Sequence, residues 1–130
     1  MFHPVFDLHC DTADRIAWQF LDPLFKEATQ LSFYGPGDER APQACADIAH
    51  SHNHLSLDTI GDVPWAQCYA CYIPDALTPE QSAGFYRQVS AYLDDQVAKH
   101  AERFAFARTA ADIRPLLGAG KTVAVRTIEN

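Results

Sequence analysis

Residues 65–73 read WAQCYACYI, a nearly unbroken apolar run that is rich in aromatic side chains. Such a run is typical of a strand buried on both faces, as in a parallel sheet. Cys68 and Cys71 have the C-x-x-C spacing of redox and metal sites. Residues three apart on a strand face opposite sides, however, so we interpret these cysteines as buried structural thiols.

Two further strands are predicted on either side of this run. Residues 5–9 (VFDLH) form a short strand, and residues 122–129 (TVAVRTIE) form another strand of the buried type. Apolar residues recur at helical spacing over 12–28. Pro23 should kink this helix or divide it into two.

Two more helices begin with recognisable caps. Thr78 is followed three residues later by Gln81, the capping-box spacing, and a periodic apolar stripe continues from there. A second, shorter helix is predicted over 110–117, with Thr109 as its cap and Asp112 three residues on.

The connecting segments are less regular. Residues 35–44 contain four glycine and proline residues and are predicted to be a loop. Residues 50–64 look irregular, with one extended piece over 54–58. The segment FAFAR at 104–108 is either a short extra strand or a packed loop.

The order of these elements predicts an α/β fold. Strands separated by helices imply a parallel sheet with right-handed crossovers. About three parallel strands are few for an independent sheet, and no helix follows the strand at 122–129 to cover that edge. We therefore expect residues 1–130 to be the incomplete N-terminal portion of one larger α/β domain, with no second domain.

Composition excludes several classes of protein. A net charge of −7 over 130 residues argues against nucleic-acid binding, which needs Lys and Arg to neutralise phosphates. No apolar run approaches the length of a membrane span, and no signal peptide is visible, so we expect a cytoplasmic protein. Four cysteines are few for a disulfide-stapled domain.

Candidate metal ligands follow the first and last strands. If the strand 5–9 continues, His9 and Asp11 face the same way while Cys10 faces the other. Glu129 ends the last strand, and ligands gather at the carboxyl ends of parallel strands. One imidazole and two carboxylates aimed at a common point suit a metal pair. The alternative is a core histidine and a solvated strand end.

The segment HSHNH places His50, His52 and His54 close together. Histidine-rich tracts can bind metals. These three precede the central strand, away from the strand ends where ligands are expected, so we interpret them as part of a solvated loop.

Four stretches of the sequence together resemble a known family. They are FDLHCDT at 6–12, the strand WAQCYACYIP, the ADI–GK connection and the strand ending in TIEN. They are similar to the N-terminal portion of the membrane dipeptidase (renal dipeptidase) family, peptidase family M19, from about residue 5 to 130. The resemblance implies a (β/α)8 TIM barrel of the metal-dependent hydrolase type, often dimeric, that hydrolyses dipeptides with two zinc ions.

Carried onto matching positions, the resemblance assigns His9 and Asp11 to one zinc. It makes Glu129 the catalytic carboxylate bridging both ions, and Asp7 an outer partner that orients the ligands. A water between the metals would attack the scissile carbonyl. The family's other ligands and its substrate-binding residues match no position here, so we expect the chain by itself to be inactive.

Two other functions stay open at this point. One is a small non-catalytic α/β binding protein that keeps the H-x-D pair as a relic. The other is a different amidohydrolase-type enzyme acting on an amide. Such enzymes more often carry H-x-H after the first strand, and Asp11 argues against that assignment.

Overall fold

The computed structural model describes residues 3–33, 46–51 and 54–130. The predicted loop 35–44 and His52 lie outside these residues. The described part contains four strands and five α-helices. The strands are β1 (Val5–Cys10), β2 (Trp65–Tyr72), β3 (Phe104–Phe106) and β4 (Thr122–Glu129). The helices are α1 (Thr12–Ala17), α2 (Pro23–Phe33), α3 (Leu57–Ile60), α4 (Pro79–Lys99) and α5 (Ala110–Gly118), with a 3-10 turn at Trp18–Phe20.

The sheet is parallel throughout, with the strand order β1-β2-β4-β3. This confirms the predicted α/β class. In the central strand β2, every residue from Ala66 to Cys71 is buried, as its apolar sequence predicts. Cys68 and Cys71 are both buried and free, which agrees with their interpretation as structural thiols.

The undecided segment 104–108 contributes a fourth strand. Its residues Phe104–Phe106 pair with Thr122–Ala124 of β4. The last strand therefore does not form an open edge along its first half, contrary to expectation. The edge positions belong to β1 and to the three-residue β3.

The extended piece expected over 54–58 is wrong, because Leu57 and Asp58 already belong to the helix α3. Ser56 caps this helix, and its Oγ accepts a hydrogen bond of 3.2 Å from the backbone N–H of Thr59. Four residues are too few for helical periodicity to be visible in the sequence.

The proline and capping signals are confirmed. Pro23 divides the helix predicted over 12–28, because it occupies the first position of α2, where its missing N–H costs nothing. At α4, Thr78 Oγ1 accepts from the Gln81 N–H at 3.3 Å, and Gln81 Oε1 accepts from the Thr78 N–H at 2.8 Å. At α5, Asp112 Oδ2 accepts the Thr109 N–H at 2.7 Å, which is one half of the corresponding box, and the Asp112 N–H donates to the Thr109 backbone carbonyl at 3.1 Å.

The core lies between the sheet and the helices α1 and α4. Tyr69 of β2 is fully buried there together with Ile16 and Phe85. The rings of Phe25 and Phe85 meet edge to face, with centroids 5.7 Å apart. This packing holds α1 against β2 and α4. Among the residues that the structure describes, no helix is long and apolar enough to cross a membrane.

Candidate metal centre

The carboxyl end of β1 carries a β-bulge. Asp7 pairs with Gln67 and Cys10 with Tyr69, so β1 advances three residues where β2 advances two. Simple alternation of side chains does not hold across this step. Cys10 is buried in the core, whereas the side chain of His9 is half-exposed at the strand end.

Asp11 reaches His9 by a different route from the one expected. It lies beyond the end of β1, at the N-cap position of α1, with φ −89° and ψ 14°. These dihedral angles are not those of an extended strand. The turn still brings the side chains together, and His9 Nε2 lies 3.1 Å from Asp11 Oδ1.

Glu129 approaches the same imidazole from the last strand. It pairs with Tyr72 in the register of β2 and β4, and its backbone carbonyl accepts the Ile73 N–H at 2.8 Å. Its Oε2 lies 3.7 Å from His9 Nδ1. One ligand atom from each of His9, Asp11 and Glu129 lies within 4.8 Å of the other two. The structure thus brings together the three residues predicted as metal ligands.

This donor set suits a metal ion. A nitrogen and two carboxylate oxygens are donors that zinc and similar divalent cations accept. The two carboxylates flank one imidazole, and a divalent cation among them would offset their mutual repulsion. The half-exposed side chains of His9 and Glu129 leave the cluster open to solvent.

Asp7 contacts the site through the backbone. Its Oδ1 accepts the backbone N–H of His9 at 3.2 Å. The bulge lies between Asp7 and Cys10, so regular alternation of side chains does not relate the position of Asp7 to that of His9. An outer role for Asp7 stays a prediction, and its visible contact anchors the ligand segment rather than the imidazole ring.

His54 is a neighbour of the site that sequence reasoning missed. Its Nδ1 lies 3.8 Å from Asp11 Oδ2, although we interpreted the segment as a solvated loop away from the strand ends. His50 behaves differently, because it pairs with Asp58 of α3. The spacing of histidines in HSHNH does not reveal which of them faces the strand ends.

Asp14 is a second residue that the sequence did not single out. Its side chain is fully buried in α1, and its Oδ2 accepts the Tyr72 N–H at 3.1 Å. Burial raises the pKa of Asp14 well above its usual 3.8, against hydrogen bonds from Cys71 and Tyr72, and the negative charges of Asp11 and Glu129 add to the rise. A buried acidic residue therefore lies close behind the candidate ligands.

Comparison with known proteins shows a likeness in structure. No protein-family model matches the sequence, and no curated protein matches it. Among solved structures, the chain is similar to the dipeptidase AC, a metallopeptidase of family M19, with a TM-score of 0.66 and 20% sequence identity. The match covers 100% of this chain and 36% of that one, so this chain spans about a third of the neighbour's length. The described strands and helices therefore have the fold of part of an M19 metallopeptidase.

Proposed function

We propose that this chain carries part of the catalytic site of a zinc-dependent dipeptidase. The observation that supports this is the convergence of His9, Asp11 and Glu129 at the carboxyl ends of parallel strands, in a chain whose fold is like that of an M19 dipeptidase. Ligand sites of parallel α/β folds lie at that end of the strands.

In this proposal each residue has a distinct role. His9 would hold zinc through an imidazole nitrogen, and Asp11 and Glu129 would hold it through carboxylate oxygens, with Glu129 as the catalytic carboxylate. Bound zinc polarises a carbonyl oxygen and lowers the pKa of a water nucleophile. The protein's own contribution is to hold the donors in place. The bulge, the entry into α1 and the pairing of β4 with β2 set their positions.

The substrate and the assembly belong to the same proposal. The substrate is a dipeptide, and the four strands form part of an eight-stranded barrel that can associate as a homodimer. We place the protein in the cytoplasm, because its described cysteines are free and buried, as is usual in a reducing compartment.

Zinc titration of the purified chain tests the proposal. We expect stoichiometric zinc binding to the metal-free protein by calorimetry. Removing a direct donor with His9→Ala or Glu129→Gln should weaken binding by more than about a hundredfold, since even outer partners of ligands contribute tenfold or more. His50→Ala is a matched control, because His50 pairs with Asp58 instead.

Two results would contradict the proposal in different ways. A chain that binds no zinc would favour the non-catalytic binding protein. Robust hydrolysis of dipeptides by the isolated 130-residue chain would overturn its interpretation as an incomplete barrel. We expect zinc binding without turnover.

A further inference from the structure

We propose that His54 is a positioning residue of this site. It holds Oδ2 of Asp11, while Oδ1 of the same carboxylate faces His9. The inference rests on the proposed metal site. It adds to that site a residue of the segment before α3, whereas the three candidate ligands lie at or just beyond the ends of strands.

The geometry places Asp11 between two imidazoles. Asp11 Oδ1 lies 3.1 Å from His9 Nε2, and Oδ2 lies 3.8 Å from His54 Nδ1. Each oxygen of the carboxylate therefore has its own histidine neighbour. His54 is outside the group of ligand atoms that lie within 4.8 Å of one another, so its position is that of an outer partner.

A separation of 3.8 Å is longer than a direct hydrogen bond. The side chain of His54 is 51% exposed, and that of Asp11 is 21% exposed. A small rotation of the imidazole, or one bridging water, completes the contact. Carboxylates that bind metals are themselves hydrogen-bonded by neighbouring groups, which fix their orientation.

Hydrogen bonds anchor the described chain that follows His54. Ser51 Oγ donates to the Leu55 carbonyl at 3.3 Å. The backbone N–H groups of Leu57 and Asp58 donate to the carbonyls of Ile48 and Ala49, each at 3.0 Å. These bonds tie residues 55–58, which directly follow His54, to residues 48–51. The described part of this segment is therefore a support for the site.

His50 belongs to the same segment but has another role. It pairs with Asp58, which also accepts a hydrogen bond of 2.7 Å from Arg103. His50 is thus a chemically matched control for His54, with the same side chain, a similar exposure and a different carboxylate partner.

The test measures metal affinity and metal geometry, not activity. Zinc affinity is obtained by competition with a chromophoric chelator, and the visible absorption spectrum of the Co²⁺-loaded protein reports the ligand geometry. We expect His54→Ala to lower zinc affinity by about tenfold to a hundredfold. Cobalt should still bind at saturation, with an altered spectrum.

Two further variants sharpen the result. His54→Asn should recover much of the affinity, because the asparagine amide N–H₂ lies near the position of the imidazole Nδ1. His50→Ala should match the wild type in both affinity and spectrum. Circular dichroism checks that each variant is folded.

Three outcomes would overturn the inference. If His54→Ala matches the wild type in affinity and spectrum, His54 does not position Asp11, although the proposed metal site stands. If His54→Ala loses metal as completely as His9→Ala, His54 is a direct ligand rather than a positioning residue. If the wild-type chain binds no metal, the proposed function fails and this inference fails with it.

Discussion

Asp14 illustrates how one residue can reduce stability next to the candidate metal site. Its carboxyl is buried between α1 and the strand end of β2, where only the Tyr72 N–H and the Cys71 side chain compensate for lost water. The folded protein therefore holds this carboxyl in its neutral form at pH values where the unfolded chain has already released the proton.

This difference predicts a pH-dependent effect of Asp14→Asn. Because the folded-state pKa is raised above 3.8, the wild type loses stability as pH rises from about 4 towards that pKa. Asparagine keeps an acceptor for the Tyr72 N–H and cannot ionise. We compare the unfolding free energy of the variant with that of the wild type. We expect this difference to shift in favour of the variant by on the order of 1 kcal/mol from about pH 4 to about pH 8.

Urea denaturation at both pH values measures this gain. The exposed Asp75→Asn is the matched control, and it should show no comparable change with pH. A gain for Asp14→Asn that is the same at both pH values would contradict the assignment of a buried neutral carboxyl.

Where strand ends determine position, sequence reasoning predicted which side chains lie close together, and their roles as ligands stay a prediction. His9 and Glu129 lie at the carboxyl ends of strands that both pair with β2, so the parallel arrangement brings them near one another. Asp11 lies beside His9, as expected, but the expected reason was wrong. The bulge and the start of α1 bring the two side chains together, and not the alternation of side chains along a strand. His54 could not be predicted, because its position depends on non-local backbone bonds that leave no periodic pattern in the sequence.

At the scale of elements, local signals predicted the boundaries of helices better than those of short strands. Thr78, Gln81 and Pro23 act within one helical turn, and the structure confirms all three. The strand Phe104–Phe106 exists because it pairs with β4, and the Ala107 N–H donates to the Ala124 carbonyl at 2.9 Å to extend this pairing. A run of three residues is too short to show an alternation of apolar and polar side chains. Tertiary contacts therefore decide whether it forms a strand.

The cap of α4 supports a testable prediction about stability. Thr78→Ala removes the hydroxyl that accepts the Gln81 N–H, and we expect a loss of about 1 kcal/mol in the free energy of unfolding. The loss should appear in global unfolding, because Phe85, Val89 and Leu93 of the same helix are buried in the core. Thermal or urea unfolding measures it.

Thr78→Ser is the control for that measurement, because serine keeps the capping hydroxyl. It should remain close to the wild type. An equal loss for alanine and serine would show that the methyl group, and not the cap, stabilises the start of α4.

At the scale of the whole molecule, the candidate site lies at the margin of the sheet. His9 belongs to β1, the longer of the two edge strands. The same strand exposes two large apolar side chains, with Phe6 51% and Leu8 72% exposed. Apolar side chains on a strand edge with free backbone groups favour pairing with another chain.

We therefore expect the isolated 130-residue chain to associate with itself through β1. Replacing Leu8 with Lys places a charge on this edge, which is how natural sheets prevent such pairing. The variant should be more nearly monomeric in sedimentation velocity at the same concentration. Leu24→Lys is the matched control, since Leu24 is 48% exposed on α2 and lies outside the sheet.

If Leu24→Lys reduces association as much as Leu8→Lys, or if neither does, the β1 edge is not the contact surface. Because Leu8 is not among the three candidate ligands, zinc binding by the Leu8→Lys variant separates association from metal binding.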